Sequence, residues 1–496
     1  MSSEPAAKSI QEYIDEKPRW SDGTAVASAP MTEMQWRIWG LTSAGKFFEG
    51  LVVFMTGVAL PLIALEFSLN ATQKGMVEAA TLFGILIGAT ALGGLSDHFG
   101  RRIMFIVEMA MFVVFLALIT LSADFTVLLM CLLGMGMALG CDYPTAHVIV
   151  SESIPSYSRG RLVLSAFGFQ AVGALAGTAV GLLILQSSES LTGWRWMYAT
   201  AIIPALLVLV GRFFIPQSGH WLLAQGRRAE AEKEVQALLR RRPPYPTRVV
   251  LTDPHKAHPE RAGTRKPGLA SLFSKPFRRS TVLASVPWFL QDLGTYGIGI
   301  FTPIILAAAI GPKNDHARNL AELIHNDILG ARGAAMIDAL LLVGIVCAVF
   351  LADKVGRIRL QILGFIGCAV GLFLASLSAY FGGATKLVFI VSGFMVFNFM
   401  TNLGPNAMTY LLAGEVFPTH IRGVGAGFAA SFAKIGAVTT SFLFPILLKD
   451  LGIATLLYML IGTSLLGAVI TWRFSIETKG VNLETIGQDA PGSRVP

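Results

Sequence analysis

The sequence predicts an all-α polytopic membrane protein whose twelve transmembrane helices form two pseudosymmetric six-helix bundles. Three observations carry that prediction. Hydrophobic residues make up 53% of the 496 and charged residues only 14%, against roughly 25% charged in a soluble domain. Twelve apolar segments are long enough to cross ~30 Å of hydrocarbon. Two charged motifs also return in the same order in the second half. Asp97-x-x-Gly100-Arg101 recurs 256 positions later as Asp353-x-x-Gly356-Arg357, and Glu152-x-x-Pro155-x-x-x-Arg159-Gly160 recurs 263 positions later as Glu415-x-x-Pro418-x-x-x-Arg422-Gly423. Repetition at a near-constant offset indicates duplication, and six spans plus six is the architecture it builds.

The elements follow in order. Residues 1–38 are polar and read as a mobile tail. The first bundle, 39–215, has spans centred near Val53, Ile85, Phe112, Leu133, Gly173 and Pro204. Span one carries Lys46 and Glu49, three apart and so neighbours on a helix. Span three carries Glu108, span four Asp142-Tyr143-Pro144 and span five Gln170. A hydrophilic linker, 216–280, contains a short helix expected over Gly226 to Arg242. The second bundle, 281–475, has spans centred near Leu293, Val343, Val370, Val396, Phe432 and Ile461, and 476–496 is a second tail. The 51 glycines suit close packing of helices in lipid.

Charge distribution limits the function classes. The formal +8 is concentrated in the segments on one side of the membrane. That is the positive-inside bias and places both termini and the linker in the cytoplasm of a cell-membrane protein, not on nucleic acid. Residues 1–35 have no apolar core of a cleavable signal. The four cysteines, Cys131, Cys141, Cys347 and Cys368, all fall in spans and show no metal-ligand or disulfide spacing. There is no phosphate-binding glycine loop and no hydrolytic triad, so neither an enzyme nor a cofactor is expected.

One stretch concentrates the chemistry. Pro287 to Pro303 lies within an apolar run yet carries Asp292, with Trp288 four residues before it and Tyr296 four after. Steps of four keep the three side chains on one helical stripe. An ionisable group inside a span is a candidate functional site by default, the alternative being a structural Asp paired with a base on a neighbouring helix. Asp142 is open between a structural acid and a proton carrier. Glu78 and Asp338 read as solvated residues near span ends.

At these residues the chain resembles the major facilitator superfamily. The turns after spans two and eight match its signature. Pro216-Gln217-Ser218-Gly219-His220-Trp221-Leu222 looks like a variant of P-E-S-P-R-W-L in its sugar-porter-type branch, and Glu477-Thr478-Lys479-Gly480 resembles P-E-T-K-G. Within that branch the chain looks most like the phosphate:proton symporters. It has Gly140-Cys141-Asp142-Tyr143-Pro144, the Trp288/Asp292/Tyr296 set, Gly404-Pro405-Asn406, Gly414-Glu415-Val416-Phe417-Pro418 and Ala433-Lys434-Ile435-Gly436-Ala437. The resemblance implies that Tyr143, Gln170, Trp288, Asp292, Tyr296 and Asn406 hold the substrate. It also implies that Asp292, Glu49, Glu108, Asp142 and Lys434 serve proton coupling. Asp97, Arg101, Glu152, Arg159, Asp353, Arg357, Glu415 and Arg422 read as cytoplasmic gate residues. Two features depart from the pattern: span one has Glu49-Gly50-Leu51 without the family's tyrosine, and Lys46 stands one turn before it.

The functional expectation is therefore a monomeric secondary transporter in which protons drive uptake of a small anion, first of all inorganic phosphate. A proton-coupled symporter of an organic anion or sugar is the alternative, and a non-transporting nutrient receptor is the alternative of another class.

Overall fold

The computed structural model describes residues 7–16, 31–92, 95–156, 159–187, 190–241, 248–252, 269–310, 320–418 and 421–478. Ten of its helices are long and apolar enough to cross a membrane; one of them holds two spans, and the shorter helix Ala71–Ile87 supplies the twelfth. Span 1 is Glu33–Glu66, span 3 Arg101–Thr120, span 4 Phe125–Ser153, span 5 Arg159–Ser187 and span 6 Gly193–Arg212. Span 7 is Arg278–Ile310, span 8 Leu320–Val355 and span 9 Arg357–Ser376. Span 10 is broken at Gly404 into Gly383–Leu403 and Pro405–Glu415. Span 2, Ala71–Ile87, continues into a π-helical turn, Gly88–Leu92. The continuous Arg422–Arg473 holds spans 11 and 12, separated where Gly452 adopts φ 77° and ψ 165°. That left-handed φ is one that glycine enters without steric cost.

Helix ends are set by local chemistry. Thr32 and Asn70 cap spans 1 and 2 in reciprocal boxes with Gln35 and Gln73, each supplying acceptors for otherwise unpaired backbone N–H groups. The proline at 405 opens the lower part of span 10 at its first position, where its missing N–H costs nothing.

The side that carries both termini is ordered by the repeated motif. In the first half, Gln217 Oε1 accepts from the backbone N–H of Arg102 at 3.0 Å, and Ser218 Oγ donates to Glu152 at 2.5 Å. In the second, Glu477 accepts from the N–H groups of Arg357 and Ile358 at 3.0 and 3.2 Å, and Thr478 Oγ1 donates to Glu415 at 2.5 Å. Gly100 and Gly356 sit at φ 100° and 102°. A Cβ on either would lie 2.6 Å from Gln217 Nε2 or 2.7 Å from a Glu477 oxygen. The duplication read from the sequence is thus also a duplication of hydrogen bonds.

Two expectations for this side change. The first tail is not wholly loose: helix Ile10–Asp15 buries Ile10, Tyr13 and Ile14 in an apolar cluster with Ile38, Phe105, Leu222, Val235 and Leu251. Asp15 accepts from Ser156 N–H at 2.7 Å, and Lys8 pairs with the linker backbone at 250 and 252. The linker helix expected over Gly226 to Arg242 is present but shorter, Arg228–Leu238, and a further short helix, Gly219–Ala224, precedes it across the turn at Gly226, whose φ is 75°.

Candidate functional site

Span 1 places Lys46 and Glu49 on its inward face, span 7 places Trp288, Asp292 and Tyr296, and span 11 places Lys434; all six are buried. Glu49 lies at the centre. Its Oε2 accepts from Lys46 Nζ at 2.9 Å, and its Oε1 accepts from Lys434 Nζ at 3.0 Å and from the Tyr296 hydroxyl at 3.2 Å. The Tyr296 oxygen in turn accepts from Lys434 at 2.6 Å and from Gln170 Nε2 at 3.1 Å. Residues from spans 1, 5, 7 and 11 thereby form one hydrogen-bonded cluster across the seam between the halves. Two lysines face one glutamate, and Asp292 completes the charge balance from a distance. Its Oδ2 is 3.9 Å from Lys434 and makes no hydrogen bond.

Close backbone approach makes the cluster possible. A Cβ on Gly50 would meet the Gln170 carbonyl at 2.0 Å, and one on Gly173 would meet the Phe47 carbonyl at 1.9 Å. Small residues therefore seat span 1 against span 5. Toward the terminal side the cluster is covered by aromatics: Phe167 stacks on Tyr410 with centroids 4.3 Å apart, and Trp288 meets Tyr410 edge-on at 6.0 Å. Toward the far side, spans of opposite halves touch. A Cβ on Gly57 would lie 2.3 Å from the Ile300 carbonyl, and one on Gly75 would lie 2.2 Å from the Phe442 carbonyl.

The other expected coupling residues sit elsewhere. Glu108 and Asp142 are buried within the first half, where Arg212 of span 6 binds Asp142 at 2.6 Å and Glu108 at 3.3 Å. Arg212 also donates to the Phe105 carbonyl at 2.6 Å and lies 3.5 Å from the Phe105 ring centroid. A Cβ on Gly45 would come within 1.8 Å of an Asp142 oxygen, so glycine is needed for span 1 to pass this triad. Arg212 was not singled out in the sequence. It closes span 6, where a basic residue normally extends to the interface, and its burial follows only from the facing acids.

Of the expected substrate ligands, Gln170, Trp288, Asp292 and Tyr296 converge on the cluster. Asn406 instead donates to Asn402 at 2.6 Å. The side chain of Tyr143 lies outside the described residues, as do those of Asp97 and Arg159 among the gate residues. Arg101 reaches Glu152 at 3.7 Å, and Arg357 reaches Asp353 at 2.9 Å and Glu415 at 3.2 Å. Arg422 donates to the Phe417 carbonyl at 3.1 Å. All these contacts lie within one half or the other. Glu78 and Asp338 are not solvated: they are 3% and 1% exposed. Gln291, which the sequence did not flag, bonds Thr295 at 2.6 Å, and Thr295 meets Thr401 at 3.1 Å.

Residues 32–490 match the family model described as "Sugar (and other) transporter". The chain belongs to this family. It is a multi-pass membrane transporter and not an enzyme. It is 29% identical over 463 residues to the putative metabolite transport protein YaaU of Escherichia coli (strain K12), covering 92% of this chain and 95% of that one. It is 28% identical over 445 residues to the D-xylose transporter of Levilactobacillus brevis, covering 87% and 91%. It is 25% identical over 468 residues to the niacin transporter NiaP of Acinetobacter baylyi, covering 93% and 98%. Among solved structures it superposes on the proton:xylose symporter XylE with a TM-score of 0.72 at 19% identity, over 92% of this chain and 98% of that one. This likeness establishes the twelve-helix major facilitator fold. The nearer resemblance to phosphate:proton symporters finds no support in these relatives.

Proposed function

We propose that the protein is a proton-coupled symporter of a small organic solute, with both termini in the cytoplasm. The observation that carries this reading is the buried charge cluster that ties Glu49 of one half to Lys434 and Tyr296 of the other. Alternating access rocks the halves about a site near the midplane, so ions bonded across the seam are the ones whose partners change during the cycle. Lys434 stands between two acids, 3.0 Å from Glu49 and 3.9 Å from Asp292. At an effective dielectric of 20, unit charges ~4 Å apart interact by roughly 4 kcal/mol. Gain or loss of a proton at Asp292 therefore decides which acid Lys434 serves, and proton binding and solute binding influence each other reciprocally.

The neutral groups around the cluster favour a hydroxylated solute. Gln170, Gln291, Thr295, Thr401, Asn402 and Asn406 offer paired donors and acceptors, the complement of sugar or polyol hydroxyls. Relatives named for D-xylose, glucose and myo-inositol agree with that class. One observation favours an organic anion as a second reading. With Asp292 protonated, two lysines oppose one glutamate, which leaves an unbalanced positive charge, and one relative is named for niacin. Counterflow in proteoliposomes, with pentoses, hexoses, inositol, aromatic acids, sulfate and phosphate offered in turn, decides the class. Exchange of a sugar or polyol is expected; exchange of phosphate alone would overturn the reading. An impermeant label that reaches the 216–280 linker in intact cells would overturn the orientation.

A further inference from the structure

Asp338 lies near the middle of span 8, in the second half, and its partners come from both halves. Its Oδ2 is 2.8 Å from Thr178 Oγ1 of span 5, and its Oδ1 accepts from Asn398 Nδ2 of span 10 at 3.3 Å. All three side chains are 1% exposed. Thr178 is two turns beyond Gln170, about 12 Å farther from the terminal side, so the contact closes the outer part of the seam.

The hydrogen count at Thr178 is informative. Its oxygen is also 3.1 Å from the Ala174 carbonyl, one turn back on the same helix. A hydroxyl has one hydrogen to donate and can accept two more. If that hydrogen goes to Ala174, the 2.8 Å contact needs a hydrogen supplied by Asp338. A protonated Asp338 satisfies every atom: its own O–H donates to Thr178, Thr178 donates to Ala174, and Asn398 donates to the remaining carboxyl oxygen. An ionised Asp338 leaves Thr178 with two acceptors for one hydrogen, and it places a charge in the membrane without a counter-ion. The titratable and charged groups on the elements packed around it are engaged elsewhere. Lys46, Glu49, Asp292 and Tyr296 belong to the central cluster, and Arg357 and Glu415 to the terminal-side turn. His325 and Asp327 stand about three turns or more farther out on span 8 and Arg332 six residues out, and Lys386 lies at the outer end of span 10. None of them forms an ion pair with Asp338 among the described residues.

We propose that Asp338 is a proton-operated latch on the outer seam. With its proton it bonds Thr178 and holds spans 5 and 8 together; when it ionises, the proton passes to water and the seam opens. A solute entering from outside is then enclosed only after Asp338 has taken a proton from that side. The assignment rests on the symport reading only for this last step, and the test uses no solute.

Hydrogen exchange of the full chain in lipid nanodiscs is followed at the outer ends of spans 5 and 8 from acid to alkaline pH, with variants compared at equal pH so that intrinsic exchange cancels. Asp338→Asn keeps a permanent donor toward Thr178. It should stay closed throughout, while the wild type exchanges several-fold faster than this variant at high pH and equally at low pH. Thr178→Val retains the acid but removes its partner, and should exchange fast at every pH. The C=O stretch of a protonated carboxyl, present in the infrared spectrum of the wild type at low pH, should diminish in Asp338→Asn. Parallel exchange in wild type and Asp338→Asn at all pH values, or an infrared band unchanged by the substitution, overturns the latch. Neither result bears on which solute is carried.

Discussion

Two buried charge clusters stand side by side in this membrane protein, each setting acids against bases, and they differ in where they sit relative to the halves. Arg212, Glu108 and Asp142 all belong to the first half, whereas Lys46, Glu49, Asp292, Tyr296 and Lys434 are divided between the halves. A movement of one bundle against the other leaves the first set intact and pulls the second apart. On the proposed function, placement relative to the moving seam assigns the first set to holding its half together and the second to coupling.

The largest effect on stability should come from the cluster that stays together. Arg212→Met would leave two buried acids without their cation, a loss of about 3–5 kcal/mol, seen as a lower unfolding temperature and poor recovery of folded protein. Adding Glu108→Gln and Asp142→Asn should restore most of it, since removing every member of a buried network is far less costly than removing one. If the triple variant were folded but unable to couple transport to protons, the triad would belong with the seam cluster after all.

Glu49→Gln tests the other side of the comparison. It removes the acceptor common to Lys46, Lys434 and Tyr296, yet the protein should fold, because the group lies where the halves separate. Proton-driven uptake should fall about ten- to a hundredfold, the range of a typical coupling free energy. Uptake within twofold of wild type would remove Glu49 from the coupling site.

The smallest effect is expected at the terminal-side turns, where the two halves can be made alike. Glu477→Gln gives the second turn the amide that Gln217 already provides in the first: the backbone N–H of Arg357 keeps an acceptor, as that of Arg102 has, while that of Ile358 loses its carboxylate oxygen. Glu477 is solvent-exposed, so the change should stay within about 1 kcal/mol. A larger loss of stability or transport would show that the carboxylate charge, rather than the acceptor, orders the second turn.

The fold was legible because its signals are local or repeated. Hydropathy gave the spans, and the motif pairs at 97/353 and 152/415 gave the two halves. The four-residue spacing of Trp288, Asp292 and Tyr296 gave the central stripe, and the Lys46–Glu49 pair followed from a spacing of three. What the sequence left unread depends on partners far along the chain. Asp338 looked like a solvated span-end acid because Thr178, 160 positions away, is what encloses it. Arg212 went unmarked because nothing nearby in sequence announces the acids of spans 3 and 4. The motifs pointed first to phosphate, which the relatives do not support, for a related reason. The motifs of spans 4, 7, 10 and 11 fix only their named residues, and Gln291 and Thr295, which the proposed function sets beside the solute, fall at positions that the span 7 motif leaves open.

Asp292 offers the most direct test of the central claim, that a proton on the seam cluster drives accumulation. Asp292→Asn retains size and a donor but has no proton to release. In proteoliposomes, with a solute identified by counterflow, the variant should exchange labelled for unlabelled solute at a rate within a few-fold of wild type. It should also fail to concentrate that solute under an inward proton gradient, while the wild type accumulates more as the external pH falls. Accumulation by Asp292→Asn equal to wild type, with the same pH dependence, would contradict the account.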